Sequence, residues 1–428
     1  MDISNIVNFL IMLIKLVIAL SIITVVHEFG HFSIAKLLKI KVNEFAIGFG
    51  PKIFSFKKRG TVYSLRWILL GGYNSLEGET NESEDPQAYS NQPGWKKLLV
   101  LFMGSINNLI LAFVLFVIIA MSLNFPSTEI AKISKSASTG TSLVEEAGMK
   151  IGDKITKIDG KNVTIFSDIT EKNIKNNEMR VTFVRDNKEF ETTIKNAVKQ
   201  ISVIGIMLEA DPTTMQNKIR FIEPGKQAMI VGLKAGDEIT EVNGNKVKTL
   251  DEVIYQLHNN GTKPINMKVL RDEKEKSFEI LKPEMINYFD IGFTPSILKA
   301  GITQKIGLSL KYAGDMFGRV LETYKDLFTG KAKVNQLSGI VGVGEIVSKT
   351  QDIWDFINLI AVVSLSIGIM NLLPIPPLDG GKIAITLGEM ITRKKMSVNA
   401  EAMISYIFFG LLILLTIYVT WNDIIRIF

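Results

Sequence analysis

The sequence contains no cysteine, and only three of its 428 residues are histidine. Disulfide bonds and thiolate metal sites are therefore excluded, so histidine and carboxylate groups would have to hold any metal. Tracts of Lys and Arg with interleaved aromatic residues, which are typical of nucleic-acid binding, are also missing. We therefore expect no nucleic acid among the partners of this protein.

Hydrophobic residues make up 47% of the chain, and the mean hydropathy of +0.23 is typical of a membrane protein. Charged residues still account for 21%, which indicates that part of the chain lies in water. We expect apolar spans that alternate with soluble modules. Basic loops beside these spans explain the net charge of +6.

Four apolar segments are candidates to cross the hydrocarbon core of a bilayer, which takes about 20 helical residues. They comprise residues 6–26, 98–123, 357–373 and 402–421. The first is interpreted as a span and not as a signal peptide, because residues 1–4 carry no basic group and no small-residue cleavage site follows. Lys15 is the one charge within it. Such a charge usually faces a protein interior or a cavity, and the role of Lys15 stays open.

The first span runs into the motif His27-Glu28-Phe29-Gly30-His31. Residues four apart share one face of a helix, so both imidazoles can reach one metal ion with Glu28 beside it. The third histidine, His258, lies in an amphipathic helical pattern and is interpreted as a surface residue. The motif is typical of a hydrolytic zinc site, in which Glu28 would act as the general base.

Basic residues predict the orientation in the membrane. Between the first two spans lie Lys36, Lys39, Lys41, Lys52, Lys57, Lys58, Arg59, Arg66, Lys96 and Lys97. The positive-inside rule places this loop in the cytoplasm and the N-terminus outside. Arg393, Lys394 and Lys395 place the connection after the third span on the same side. Asp379 then lies on the same membrane face as the histidines, which makes it the candidate for a third zinc ligand.

Two further features lie in the loop after the first span and in the second span. Residues 61–70 are rich in β-forming residues and end at Gly71-Gly72, which predicts a hairpin or a re-entrant sheet. The second span is interrupted by residues 104–108, which include Asn107 and Asn108. Buried asparagines should face other helices or a polar cavity. Hydrogen bonding between helices and a role in the active site both remain open for them.

The soluble stretch contains an internal repeat, because residues 147–163 realign with residues 231–247. Each copy has a Gly-Asp pair and an Asp-Gly or Asn-Gly turn around a short apolar strand. The pattern resembles PDZ domains, and a groove helix is expected to begin near Leu250. Peptide binding by strand addition and a spacer role are both open.

Residues 308–321 predict an amphipathic helix that lies on the membrane or against the spans.

These patterns divide the chain as follows: 1–35, the first span with the HEFGH motif; 36–97, a cytoplasmic loop with a re-entrant β region; 98–124, the second span; 125–200 and 201–285, two PDZ-like domains; 286–352, an amphipathic region; 353–381, the third span with an Asp-containing loop; 382–401, a cytoplasmic connection; 402–428, the fourth span.

The combination resembles the site-2 protease family of intramembrane zinc metalloproteases, of the bacterial RseP type with two PDZ domains. The resemblance rests on the HEFGH motif, residues 104–108, the internal repeat and the stretch from Asn371 to Gly380. It implies a membrane protein of four transmembrane helices with a membrane-associated β-hairpin region and two inserted PDZ-like domains. One departure is Ser105, where the family often has proline, and this bears on the geometry of the second helix.

The resemblance also implies roles for particular residues. Asp379 would complete a zinc site with His27 and His31. Asn371 would contact or position the substrate, and Asn108 would lie near the active site. The region around Gly71 and Gly72 would present an unwound substrate by edge pairing.

The expected function is regulated intramembrane proteolysis in the bacterial cytoplasmic membrane, with the PDZ-like domains outside. Substrates would be single-span membrane proteins, such as anti-sigma factor remnants or signal-peptide remnants. One alternative is a membrane-anchored peptide-binding scaffold with an idle metal site, although a structural site needs no general base like Glu28. A metal transporter would need polar residues along several spans, and these are mostly lacking.

Overall fold

A computed structural model describes residues 3–79, 83–134, 142–169, 178–208, 217–222, 226–289, 291–330, 339–348, 350, 352–394 and 396–427. The helices are α1 Ile3–Leu37, α2 Gly94–Ser122, α3 Leu143–Glu146, α4 Gln227–Ile230, α5 Leu250–His258, α6 Ile302–Phe328, α7 Ile340–Ser348, α8 Ile353–Asn371, α9 Asp379–Thr392 and α10 Val398–Ile427.

The strands are β1 Val42–Lys58, β2 Thr61–Leu76, β3 Pro126–Ile133, β4 Lys154–Ile158, β5 Lys161–Asn162, β6 Glu178–Arg185, β7 Lys188–Lys195, β8 Val198–Val203, β9 Ile206–Leu208, β10 Ile219–Ile222, β11 Glu238–Val242, β12 Asn245–Lys246, β13 Ile265–Arg271, β14 Lys274–Ile280, β15 Glu284–Phe289 and β16 Phe293–Ile297. Two short 3₁₀ helices comprise Tyr89–Asn91 and Phe166–Asp168.

The chain forms two compact units, a helical unit of Met1–Leu123 with Gly301–Phe428 and a β-rich unit of Asn124–Ala300. Within the described residues of the helical unit, four helices are long and apolar enough to cross a membrane: Phe9–Leu37, Gly94–Ser122, Ile353–Asn371 and Ala400–Ile425. The prediction of four such helices is confirmed. The first helix continues beyond residue 26 through the HEFGH motif to Leu37.

Helix α2 lies at the centre of the helical unit, where it packs against α1, α6, α8 and α9. Its buried residues recur every three or four positions and so form one face: Val100, Leu101, Gly104, Ser105, Asn108, Ala112, Phe116, Ile119 and Ala120. The crossing with α1 is close, because a Cβ built on Gly30 would lie 2.3 Å from the carbonyl oxygen of Met103. Small residues allow such crossings between apolar helices.

Helix α6 contains the predicted amphipathic segment 308–321. Ala313 is fully buried, and Phe317 packs edge-to-face against Phe116 of α2 at a centroid distance of 6.3 Å. The sequence left open whether this helix lies on the membrane or against the spans, and the structure shows it against the candidate spans.

Strands β1 and β2 form the predicted hairpin as a two-stranded antiparallel sheet. Strand β2 does not end at Gly71-Gly72 but continues to Leu76, because β1 pairs with it on both sides of these glycines. Ser64 and Arg66 donate hydrogen bonds to the carboxylate of Glu44 across the hairpin. Burial alone would raise the pKa of Glu44, but these and further hydrogen bonds lower it to about 2, so the side chain is ionised at neutral pH.

The short helix α7 is held at both ends by polar groups from candidate spans. At its beginning, the backbone N–H groups of Gly339 and Gly342 each donate to Oδ2 of Asp423 at 2.8 Å, and Asp423 is a fully buried residue of α10. Beyond its end, Nζ of Lys15 in α1 donates to the carbonyl oxygen of Thr350 at 3.2 Å. An acidic group at the start of a helix and a basic group at its end both complement the helix dipole.

The β-rich unit contains two hydrophobic cores, which define a first and a second module. The first core includes Ile130, Val181 and Ile194 together with Ile291 and Phe293 from the far end of the unit. The second core is built from residues 204–280. Strand β16 pairs with β3, and β15 pairs with β8, so the second module is inserted within the first. The division at residue 285 therefore leaves β16 out of the first module, where it pairs with β3 as β9 pairs with β10 in the second module.

The same ion pair recurs in both modules. Arg185 contacts both carboxylate oxygens of Asp153 at 2.7 and 2.6 Å, and Arg271 contacts both of Asp237 at 2.6 Å. Both aspartates belong to the Gly-Asp pairs of the sequence repeat. Bidentate pairs of this kind fix geometry as well as adding energy. The repeat is thus a structural duplication that extends to the arginines outside the realigned segment.

We predict that Asp423→Leu destabilises the helical unit, because the buried N–H groups at the start of α7 lose their acceptor. The loss should be at least about 2 kcal/mol, seen as a melting temperature lower by roughly 5 °C in detergent. Thr416→Val is the matched control in α10, because its hydroxyl only donates to Leu412 within the same helix. An unchanged melting temperature for Asp423→Leu would show that α7 is held by other contacts.

Candidate metal centre

Three side chains converge at the motif. His27 and His31 lie one turn apart on α1, and Asp379 is the first residue of α9. Nε2 of His27 and Nε2 of His31 lie 3.1 and 3.3 Å from Oδ2 of Asp379, and 3.1 Å from one another. These are the residues that the sequence predicts as metal ligands. Among the described residues, they form the one group of this kind with ligand atoms within 4.8 Å of each other.

The spacing of these atoms fits zinc. Ligand atoms about 2.0–2.1 Å from a tetrahedral zinc ion lie roughly 3.3 Å apart. Three protein ligands leave one position for water or substrate, as in catalytic zinc sites. Nδ1 of His31 lies 2.8 Å from the carbonyl oxygen of Val100, to which it donates. This hydrogen bond places the proton on Nδ1 and leaves the lone pair of Nε2 directed to the metal position.

Gly104 of α2 makes room for the two imidazoles. A Cβ at this position would lie 2.3 Å from Nε2 of His31 and 2.9 Å from Cε1 of His27. Both distances are below any that real Cβ contacts show, and the first is to the atom that would bind the metal. Helix α2 can therefore pass behind the histidines only with glycine at position 104.

Asp379 begins a helix and does not lie in a loop, contrary to the prediction from the sequence. Leu378 is extended, and α9 starts with Asp379 and continues through the predicted cytoplasmic connection to Thr392. A Cβ on Gly380 would lie 2.1 Å from the carbonyl oxygen of Leu373, and one on Gly381 would lie 2.4 Å from the nitrogen of Pro376. The two glycines thus let the first turn of α9 pack directly on the preceding turn. The start of α9 thus lies where the carboxylate of Asp379 contacts both histidines.

Glu28 accepts hydrogen bonds from Asn74, a residue that no pattern in the sequence predicts at this site. Nδ2 of Asn74 on β2 donates to Oε2 of Glu28 at 2.7 Å and to its backbone oxygen at 2.6 Å. Asn74 is two positions beyond Gly72, and nothing in its local sequence indicates a contact with α1. Only the packing of β2 against α1 brings the two residues together.

The histidines, Glu28 and Asp379 line a cavity of about 180 Å³. The other lining residues are Tyr73, Asn74, Leu76, Glu79, Tyr89, Val100, Leu101 and Lys382. Lys382 lies one turn after Asp379 on α9, and its Nζ forms an ion pair with Glu79 at 2.9 Å. The cavity therefore holds acidic, basic and candidate metal-binding groups within one small volume.

The remaining predicted residues lie at different distances from the centre. Asn108 is fully buried, and Nδ2 of its amide lies 3.4 Å from Nδ1 of His27. A Cβ on Gly72 would lie 3.6 Å from Cγ of Glu28, whereas one on Gly71 would meet the ring of Phe49. Asn371 is the last residue of α8. Among the described residues, the lining of the cavity includes none of these four.

Three further residues singled out in the sequence are Ser105, Asn107 and His258. Ser105, where proline is frequent in the family of the resemblance, is buried within α2, which runs unbroken from Gly94 to Ser122. Asn107 donates to the carbonyl oxygen of Val26 at 3.2 Å and so bonds between helices. His258 ends α5, is half-buried and lies outside the group of metal-binding side chains.

The chain is similar to known proteases over nearly its whole length. The sequence profile of peptidase family M50 matches residues 15–415. The regulator of sigma-W protease RasP of Bacillus subtilis is 30% identical over 432 residues, 94% of this chain and 95% of that protein. Zinc metalloprotease RasP of Bacillus licheniformis is 29% identical over 430 residues, 94% of this chain and 96% of that protein. A crystal structure of the HtrA3 PDZ domain is 19% identical, with a TM-score of 0.18, and spans 21% of this chain and 91% of that domain.

We predict that Gly104→Ala lowers the zinc content of the purified protein at least about tenfold at limiting zinc, because the added methyl group displaces Nε2 of His31. Inductively coupled plasma mass spectrometry after dialysis measures this directly. Gly410→Ala is the matched control, since Gly410 lies in α10 with no atom within 4 Å of an added Cβ. Equal zinc in both variants would contradict the close approach of α2.

Proposed function

Because this chain belongs to peptidase family M50, the site-2 protease family, and is a zinc metalloprotease, we propose that it cleaves single-span membrane proteins within the bilayer. The observation that carries the proposal is the position of the metal centre on α1, which is itself long and apolar enough to cross a membrane. A peptide bond would have to reach a site at membrane depth. This favours a transmembrane substrate over a soluble one.

In this proposal His27, His31 and Asp379 are the zinc ligands. Zinc bound there supplies a Lewis acid and an activated water. The amide of Asn108 faces Nδ1 of His27, and the Nδ1 atom of a histidine that binds zinc through Nε2 carries a proton. Rotation of the Asn108 amide by 180° presents its oxygen, which in this structure is buried without a hydrogen-bond partner among the described residues. Asn108 would then orient His27 as Val100 orients His31.

Glu28 would act as the general base. Its carboxylate takes a proton from the attacking water and passes it to the departing amine nitrogen. The position of Glu28 in the cavity, outside the group of three ligand atoms, supports this role. Lys382 lies in the same cavity and would add a positive charge near the oxygen on which negative charge develops.

The hairpin is the proposed place for the unwound substrate. It is a two-stranded sheet, and an extended peptide can add to the edge of such a sheet. The exposed apolar side chains of Phe54, Trp67 and Leu70 suit contact with lipid or with a transmembrane segment. Gly71, Gly72 and Asn371 are proposed to contact this strand. A helix must be unwound before its peptide bonds are accessible. Pairing with the edge of the hairpin would then satisfy the backbone groups of the unwound segment.

The two modules of the β-rich unit are proposed to be PDZ-like domains on the extracytoplasmic side. The recurrence of the Arg–Asp pairs supports a common origin for them. They would bind peptides by strand addition or exclude substrates with bulky external domains. The metal centre would face the cytoplasmic side of a bacterial cytoplasmic membrane, since the basic residues flank the hairpin and follow α9. Remnants of anti-sigma factors or of signal peptides are the proposed substrates.

We predict that Glu28→Gln retains zinc but cleaves single-span reporters at least about 100-fold more slowly, because the amide cannot accept the proton of the water. The purified variant is compared with the unsubstituted protein by gel-based cleavage and by metal analysis. Cleavage by Glu28→Gln at an undiminished rate would contradict the proposed mechanism.

We predict that Asp379→Ala weakens zinc binding at least about tenfold, because one of three protein ligands is lost. Competition with a zinc chelator measures the affinity. Glu389→Ala is the control, since Glu389 lies on the same helix and bonds to the backbone of Met396 instead. Unchanged affinity for Asp379→Ala would remove this residue from the ligand set.

A further inference from the structure

The amide of Asn74 contacts Glu28 at two atoms. Its Nδ2 lies 2.7 Å from Oε2 of the carboxylate and 2.6 Å from the backbone oxygen of the same residue. Both contacted oxygen atoms are acceptors, so the amide of Asn74 can hydrogen-bond to them only through its nitrogen. The orientation of Asn74 is thereby determined by chemistry, with Oδ1 directed away from Glu28.

No other described side chain hydrogen-bonds to the carboxylate of Glu28. A glutamate on a helix has three side-chain torsions, so without such a contact its carboxylate would sample several positions. A general base must lie within hydrogen-bond reach of the proton that it accepts, and misplacement by about 1 Å can cost about 100-fold in rate. A single hydrogen bond at this position therefore has consequences for the chemistry.

We propose that Asn74 is a positioning residue, which holds the carboxylate of Glu28 in the orientation that the proton transfer requires. This inference rests on the proposed function, because it assigns Glu28 the role of general base. Asn74 tethers the side chain and the backbone of Glu28 at once, so that α1 and the carboxylate are fixed relative to the same strand.

The other end of the amide has a second role. Oδ1 of Asn74 is buried and has no hydrogen-bond partner among the described residues, and Asn74 lines the cavity. A buried acceptor of this kind needs a donor. The backbone N–H of a substrate strand is a donor of the right kind. Asn74 thus links the base to the hairpin on which the substrate is proposed to lie, and binding of substrate would further restrict the position of Glu28.

The experiment compares Asn74→Leu and Asn74→Asp with the unsubstituted full-length protein in detergent, on fluorescently labelled single-span reporters of differing transmembrane sequence. Leu has a similar size but no donor, and Asp places a second acceptor against the carboxylate of Glu28. We expect both to lower kcat by about 10- to 100-fold, with zinc content and melting temperature unchanged. KM should change less than about threefold in Asn74→Asp, which keeps an acceptor for the substrate, and should rise about fivefold in Asn74→Leu, which loses it.

Asn43→Leu is the matched control. Asn43 lies on β1 of the same hairpin and donates through Nδ2 to a carboxylate, Oε2 of Glu77, at 3.0 Å. The substitution Asn43→Leu breaks the same type of hydrogen bond outside the cavity. Its kcat should remain near that of the unsubstituted protein. An equal loss of kcat in Asn43→Leu would mean that any damage to the hairpin slows the reaction, and this would overturn the positioning role.

Other outcomes separate the two proposals. Normal kcat for both Asn74 variants, with Glu28→Gln inactive, overturns the role of Asn74 and leaves the proposed function standing. A loss of zinc or a lower melting temperature in both Asn74 variants assigns Asn74 a structural role instead. If the unsubstituted protein cleaves none of the reporters, or Glu28→Gln cleaves them equally well, the proposed function itself fails.

Discussion

The close approach of α1 and α2 is the constraint on which the geometry of the metal centre depends. Gly30 lets the backbone of α2 come close to α1, and Gly104 gives the imidazoles room on the other side of the crossing. The same approach brings the carbonyl oxygen of Val100 to His31 and the amide of Asn107 to Val26. With any larger residue at either glycine, the helices would separate, and both of these hydrogen bonds would lengthen.

Several polar groups within the apolar helices have partners that lie far away in sequence. Asn107 bonds to α1, the hydroxyl of Ser364 donates to the backbone oxygen of Asn108 at 2.9 Å, and Lys15 reaches Thr350. Each such group is costly in hydrocarbon unless it is paired. Apolar contacts alone do not select the neighbours of a helix, because contacts with lipid and with protein are nearly equivalent in energy. The polar pairs therefore determine which helices are neighbours.

The spacing of His27 and His31 could be predicted because four-residue separation on a helix is a local property, and the sequence also predicted the hairpin. The choice of Asp379 followed from charge distribution, yet its helical surroundings did not, because Asp-Gly-Gly is typical of turns and glycine is a poor helix former. Asn74 and strand β16 could not be predicted, since each depends on contacts between segments with no common sequence pattern. The roles of Asn371, Gly71 and Gly72 in substrate binding remain predictions.

The polar contacts at the two ends of α7 also have a consequence for the order in which the protein can be assembled. Thr350 is synthesised 335 positions after Lys15, and the acceptor for Gly339 and Gly342 follows later still, on α10. Until those later segments are inserted, water or lipid headgroups have to solvate the ammonium group of Lys15. The helix that carries the catalytic motif is therefore in a less favourable environment in an unfinished chain. The carbonyl oxygen of Thr350 removes that penalty once its segment is in place, so the stability of α1 depends on a segment that is synthesised 335 positions later.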